Sequence, residues 1–148
     1  MINVAILGYG TVGSGVFEVL NENKESISRR AGQELHVKYV LDLRDFPGQP
    51  VEKVLVHDYE QIVSDPEVDI VVEVMGGVEP AYTFVKKALL AGKNVCTSNK
   101  ALVAKHGREL MDIAKERALT SYLKQAVAAE SQSFVSSILP LQEMRLTK

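Results

Sequence analysis

Three glycines, Gly8, Gly10 and Gly13, fall in the run Val4-Ala5-Ile6-Leu7-Gly8-Tyr9-Gly10-Thr11-Val12-Gly13, spaced as Gly-x-Gly-x-x-Gly behind a short apolar stretch. That spacing suits a dinucleotide. Gly8 permits a tight turn off a strand, and Gly10 has no Cβ to keep a pyrophosphate from the backbone. Gly13 lets a following helix pack closely on the sheet. Thr11, Val12 and Gly13 open that helix, whose free N–H groups and positive dipole end face the phosphates. A glycine-rich turn without a ligand is the plain alternative. The strand pattern before the glycines and the helical pattern after them favour the cofactor.

Further along, Asp42-Leu43-Arg44-Asp45 closes a second apolar run. An acid there holds adenosine ribose hydroxyls in such folds, whereas an arginine accommodates a 2′-phosphate. Arg44 reads as the phosphate contact and points to NADP, with NAD as the other candidate. Asp42 either contacts the ribose or faces solvent. Both lie beyond the usual ~20-residue spacing from the glycines, a delay that the polar stretch Glu22–Gln33 explains. Two later strand ends, Met75-Gly76-Gly77 and Thr97-Ser98-Asn99-Lys100, share the carboxyl edge where open α/β folds bind ligands. Gly76 and Ser98 are therefore counted with the cofactor site. Lys100 places an ammonium where a nicotinamide and a polarised substrate oxygen can meet, and is the candidate catalytic residue; a capping or exposed lysine is the plain alternative, and on its residue type the commoner one. Glu73 lies inside an apolar run and needs partners: it either accepts hydrogen bonds from neighbouring loop N–H groups, the favoured structural role, or faces the cofactor crevice.

These positions require a particular set of elements. Val12, Val16, Val19 and Leu20 recur at helical spacing, with Thr11 as N-cap, and Glu22–Gln33 reads as an exposed helix extension stopping at Gly32. His36–Leu43 reads as the second strand, the segment 46–50 as a loop, and Val51–Val56 as a short edge strand. Asp58 caps a short helix ending at Val63. Asp69–Met75 is almost continuously apolar, as in a parallel strand buried on both faces. Pro80 suits the first turn of a helix with Ala81, Val85, Ala88 and Leu89 inward. Lys93–Thr97 is the next strand, Lys105–Arg117 the last helix and Leu119–Leu123 the last strand. Strands alternating with helices give a single-domain α/β fold of Rossmann type, a doubly wound parallel sheet.

The 148 residues suffice for one domain, and an apolar content of 46% supplies its core. A net charge of −2 gives no electrostatic case for nucleic acid or an anionic membrane. No apolar stretch approaches the ~20 residues of a membrane span, and no signal peptide is visible, so a cytoplasmic location is expected. The single cysteine, Cys96, lies in an apolar run and excludes a disulfide framework. His36, His57 and His106 lack metal-ligand spacing, so no metal site is expected.

The motifs GYGTVGSGV, MGGVEPA and TSNKALVAKHG together resemble the nucleotide-binding domain of homoserine dehydrogenase over roughly residues 2–123. The block Asp69–Leu110 is the most specific part. The resemblance implies interconversion of L-homoserine and L-aspartate 4-semialdehyde with NADP(H) or NAD(H), a step of threonine and methionine biosynthesis. It implies that Lys100 matches the family lysine beside nicotinamide and substrate, and that Arg44 matches the arginine associated with the 2′-phosphate. Family members continue into a substrate domain that supplies substrate-holding acids, a second catalytic lysine and most of the contacts of a homo-oligomer.

The resemblance stops near Leu123, giving residues 1–123 as the dinucleotide-binding domain and 124–148 as an atypical tail. Back-translated with compatible codons and shifted by one nucleotide, Lys124–Ser133 can read Glu-Ala-Ser-x-Gly-Gly-Gly-Ile-Pro-Ile, the family continuation. The tail is accordingly expected to be an out-of-frame product of a frameshift, with nucleotide binding retained and turnover lost. Rival readings are a stand-alone nucleotide-binding or regulatory module and another small dehydrogenase of the same fold.

Overall fold

A computed structural model describes residues 2–31, 34–116 and the backbone of 121–123. The proposed tail, 124–148, lies outside the described residues. The strands are β1 (Ile2–Leu7), β2 (Leu35–Leu41), β3 (Leu55–Val56), β4 (Val68–Glu73), β5 (Asn94–Thr97) and β6 (Ser121–Leu123). The helices are α1 (Thr11–Glu22), α2 (Lys24–Ala31), α3 (Glu60–Val63), α4 (Ala81–Leu90) and α5 (Lys100–Glu116), with a 3-10 turn at Pro50–Lys53. All strand pairings are parallel, and the sheet order is β3-β2-β1-β4-β5-β6. This is the doubly wound arrangement that the alternating pattern predicts.

Successive residues of a strand face opposite sides, so each central strand feeds two cores. Val4 and Ile6 of β1 join Ile70 and Val72 of β4 and the inner face of α1, with Val16, Phe17 and Leu20. Ala5 and Leu7 join Val71, then Ala81, Val85 and Leu89 of α4 and Leu102 and Leu110 of α5 on the other side. Burial on both faces explains the near-continuous apolar character of β4.

Several boundaries differ from the sequence expectation, each for a local reason. Gly10, not Thr11, is the N-cap of α1, and no side chain caps it. The polar helix extension is broken at Asn23, whose N–H bonds Val19 O, and resumes as α2. Strand β2 ends at Leu41 because Asp42 turns its carboxylate toward the N–H groups of Tyr9 and Arg44. The expected strand Val51–Val56 is a 3-10 turn, favoured by Pro50, followed by a two-residue strand. Pro80 stands at the N-cap of α4 rather than within its first turn. The N-cap of α3 is Tyr59 rather than Asp58, although the Asp58 carboxylate, one residue earlier, accepts the Glu60 N–H at 3.0 Å. Helix α5 begins at Lys100, five residues before the expected start, because the Asn99 side chain accepts the Leu102 N–H at 3.1 Å.

Candidate functional site

Because every strand runs the same way, the exits of β1, β2, β4 and β5 lie along one edge of the sheet. Gly8, Gly10, Thr11, Val12 and Gly13 follow β1; Arg44 follows β2; Gly76 follows β4; Ser98 and Lys100 follow β5. The sheet order therefore brings all the sequence-selected residues to one edge, with the β1 exit between the others.

At the β1 exit the backbone comes into close contact with itself. Gly8 has φ of +105°, and a Cβ there would stand 2.9 Å from Met75 Cγ. A Cβ at Gly13 would lie 2.0 Å from Gly8 O, so only glycine lets the start of α1 meet the end of β1. Gly10 is different: a Cβ there would meet nothing within 4 Å. The first backbone bond of the helix runs from Ser14 N–H to Gly10 O at 2.9 Å. Among the described residues the N–H groups of Gly10, Thr11, Val12 and Gly13 have no partner. Four unpaired donors at a helix start, with open space at the bare Cα of Gly10, fit a pyrophosphate.

The β2 exit carries an ion pair. Arg44 Nε donates to Asp42 Oδ1 and Nη2 to Asp42 Oδ2, both at 3.0 Å, while Nη2 also reaches Tyr9 O at 3.3 Å. Asp42 further accepts the N–H of Tyr9 at 3.0 Å and that of Arg44 at 2.9 Å. The Arg44 guanidinium foremost, with these N–H groups, holds the Asp42 carboxyl at about 2. Asp42 thus faces its neighbours, not solvent. The Arg44 guanidinium stacks 5.2 Å from the Phe46 ring centroid, and Phe46 packs edge-on to Tyr9. Two of the five guanidinium N–H groups, those on Nη1, are left over among the described residues.

His57 completes this exit and was not legible as a site residue. Its Nδ1 lies 2.6 Å from Asp42 O and its Nε2 2.9 Å from Asp45 Oδ1. Both partners are acceptors, so the ring satisfies both only as the imidazolium. The carbonyl of Asp42, then the Asp45 carboxylate, raise its pKa. No spacing signal could have found it: it reaches the loop from beyond β3, fifteen residues on.

Between the β2 exit and the start of α4 lies a cleft of about 460 Å³. Leu41, Leu43, Met75, Pro80 and Phe84 make its walls apolar, and Asp42, Arg44 and His57 give it a polar side. Tyr59 also lines it, stacked on Phe84 and donating its hydroxyl to Phe84 O at 2.6 Å.

The β4 and β5 exits are tied together by Glu73. The fully buried carboxylate accepts the Thr97 hydroxyl, the Met75 N–H at 2.8 Å and the Asn99 amide at 3.3 Å. Asn99 in turn donates to Gly77 O at 2.6 Å while capping α5. Glu73 therefore takes the structural role expected from sequence, but Asn99, which links both exits, was missed. A Ser/Thr/Asn cap read at Asn99 would have found it. Lys100 is exposed in the first turn of α5, and no hydrogen bond or ion pair engages it among the described residues. No group of three His, Cys, Asp or Glu side chains suits a metal among the described residues, and no helix among them is long and apolar enough to cross a membrane.

Comparison with known proteins gives this geometry a family. A family profile described as the NAD-binding domain of homoserine dehydrogenase matches residues 8–124. The homoserine dehydrogenase of Lactococcus lactis is 42% identical over 135 residues, covering 86% of this chain and 31% of that protein. The crystal structure of S. aureus homoserine dehydrogenase at pH 6.5 superposes with a TM-score of 0.75 at 36% identity, over 82% of this chain and 31% of that one. A hyperthermophilic archaeal homoserine dehydrogenase solved in complex with NADPH gives a TM-score of 0.66 at 28% identity, over 82% of this chain and 43% of that one. The chain spans about a third of the length of the curated relatives it matches. Within that span, the glycine turn, the parallel sheet and the profile match agree, and the chain belongs to the homoserine dehydrogenase family, of which it carries the NAD-binding domain.

Proposed function

We propose that residues 1–123 form the cofactor half of an NADP(H)-dependent homoserine dehydrogenase, which interconverts L-homoserine and L-aspartate 4-semialdehyde. The observation that carries this reading is the set of unpaired N–H groups at Gly10–Gly13 beside the Arg44 guanidinium. The bound dinucleotide supplies the hydride chemistry. The chain's own groups bind and orient. The start of α1 holds the pyrophosphate, and the β2-exit side of the apolar cleft, at Leu41, Leu43 and Arg44, takes the adenosine end. Gly76, Ser98 and Lys100 bound the nicotinamide end, with Lys100 facing the substrate oxygen.

The preference for NADP over NAD rests on how Asp42 is engaged. A carboxylate that accepts three bonds from Arg44 and the N–H of Tyr9 has little left for ribose hydroxyls. The outward N–H groups of Arg44 Nη1 suit a phosphate instead. The neighbour bound to NADPH supports the same choice.

By themselves these 148 residues are expected to bind the dinucleotide without turning over homoserine. Calorimetric titration with NADPH and NADH, alongside a homoserine oxidation assay, tests both halves. Tighter NADPH binding without enzyme-like turnover fits the reading. Equal affinities remove the NADP assignment, and rapid oxidation of homoserine removes the claim that the substrate half is needed.

A further inference from the structure

The last register row of the sheet runs Val56, Leu41, Leu7, Glu73, Thr97 and Leu123. An ionisable group stands in the middle of an otherwise mostly apolar row. Glu73 is fully buried, and its three donors, the Thr97 hydroxyl, the Met75 N–H and the Asn99 amide, are all neutral. No lysine, arginine or histidine is among its interactions within the described residues.

The hydrogen bonding suits an anion. Thr97 Oγ1 already accepts the Asn99 N–H at 3.0 Å, so its own hydrogen is free to point at Glu73. Both remaining donors converge on Oε2. A protonated Glu73 would have to aim its hydrogen at a hydroxyl that needs an acceptor itself. Burial pushes this carboxyl above its ordinary range, and the three donors oppose that rise. A buried anion without a cation is costly, and an apolar residue would pack this row as Leu7 does.

Its position connects the charge with the cofactor, on the dinucleotide reading above. The pyrophosphate sits at the β1 exit and the adenosine end on the β2 side. The sheet order puts β4 and β5 on the other side of β1. The nicotinamide end therefore extends over the exits that Glu73 ties together. A nicotinamide ring carries a positive charge when oxidised and none when reduced.

We propose that the buried Glu73 carboxylate makes the site sense the redox state of its cofactor, favouring the cationic, oxidised nicotinamide over the reduced form. Lys100 shares this edge and opposes the effect, but it is exposed and water screens its charge. Glu73 acts from the dry interior, where a charge reaches further. It does so without touching the ring, as an electrostatic and positioning residue.

The test is Glu73→Gln in the 148-residue chain, titrated calorimetrically with NADP+ and with NADPH. Glutamine preserves the shape: its oxygen can accept from Met75 and Asn99 while its amide donates to Thr97, whose own hydroxyl hydrogen alone loses its acceptor. The ratio of the two dissociation constants should move roughly fivefold toward the reduced form, mainly through weaker NADP+ binding. Thr97→Val keeps the volume, removes one donor to the carboxylate, and should move the ratio less in the same direction. It carries the test if Glu73→Gln does not fold. An unchanged ratio, or equal weakening of both forms, overturns the inference and leaves a structural tie alone. A wild-type chain that binds neither form overturns the dinucleotide reading and this inference with it.

Discussion

Arg44 and Asp42 hold each other in one orientation, and the consequences are measurable residue by residue. Arg44→Ala removes charged donors from the β2 exit and should weaken NADPH about tenfold to a hundredfold while changing NADH little. Calorimetry of both cofactors checks this. The glycines separate site from scaffold. Gly10→Ala adds a Cβ into open space and should scarcely change stability, yet lower NADPH affinity by crowding the pyrophosphate. Gly13→Ala drives a Cβ to 2.0 Å from Gly8 O; the overpacking should cost about 1–3 kcal/mol in urea unfolding. The glycines and Arg44 were legible because motif and strand-end position carry them. His57 was not, because its partners come from a loop fifteen residues earlier. Its pKa is raised in the folded chain, so its contribution to stability is present below pH 6.5 and is lost as pH rises through the folded value. Asp42 behaves oppositely: its contribution is present above pH 3.8 and is lost as pH falls toward about 2. Following the His57 ring by NMR titration should give a midpoint above 6.5, and His57→Gln should flatten the stability profile near neutrality.

At the scale of elements, apolar pattern located the strands and capping chemistry set where they stop. The central strands read correctly because burial on both faces leaves little polar interruption, as in β4. The ends were harder. Nothing in the stretch Ser98–Lys105 marks a helix start by periodicity, so the apolar pattern alone starts α5 late. The structure starts it at Lys100 through a side-chain bond from Asn99 to its first turn. That bond moves Lys100 from a loop onto a rigid helix, which fixes where its side chain emerges. Asn99→Ala removes the cap and leaves Gly77 O and one Glu73 bond unsatisfied. A loss of about 2 kcal/mol or more is expected. Urea denaturation measures it, and an unchanged midpoint would show that the cap does not hold the β4 and β5 exits together.

The whole molecule is an ordering of exits along one edge, in the sequence β2, β1, β4, β5; on the proposed reading these become the adenosine side, the phosphate cradle and the nicotinamide side. The alternation of strands and helices made the fold class legible, and the motifs made the family legible. What the order adds is the side of the cradle on which each residue falls, which one-dimensional spacing does not contain. Binding at this edge should also stabilise the fold by mass action, by roughly 2.7 kcal/mol at a free cofactor concentration of about 100 times Kd. Thermal melts with and without NADPH read this directly. The central claim is that the unpaired amides at the start of α1 hold the cofactor phosphates, and NADPH titration followed at the backbone amides by NMR tests it most directly. The account predicts saturable shifts at Gly8–Ser14, with Arg44 and Met75–Gly77 moving at the same midpoint. Shifts confined to the outer face of α5, or none at Gly10–Gly13, would contradict it.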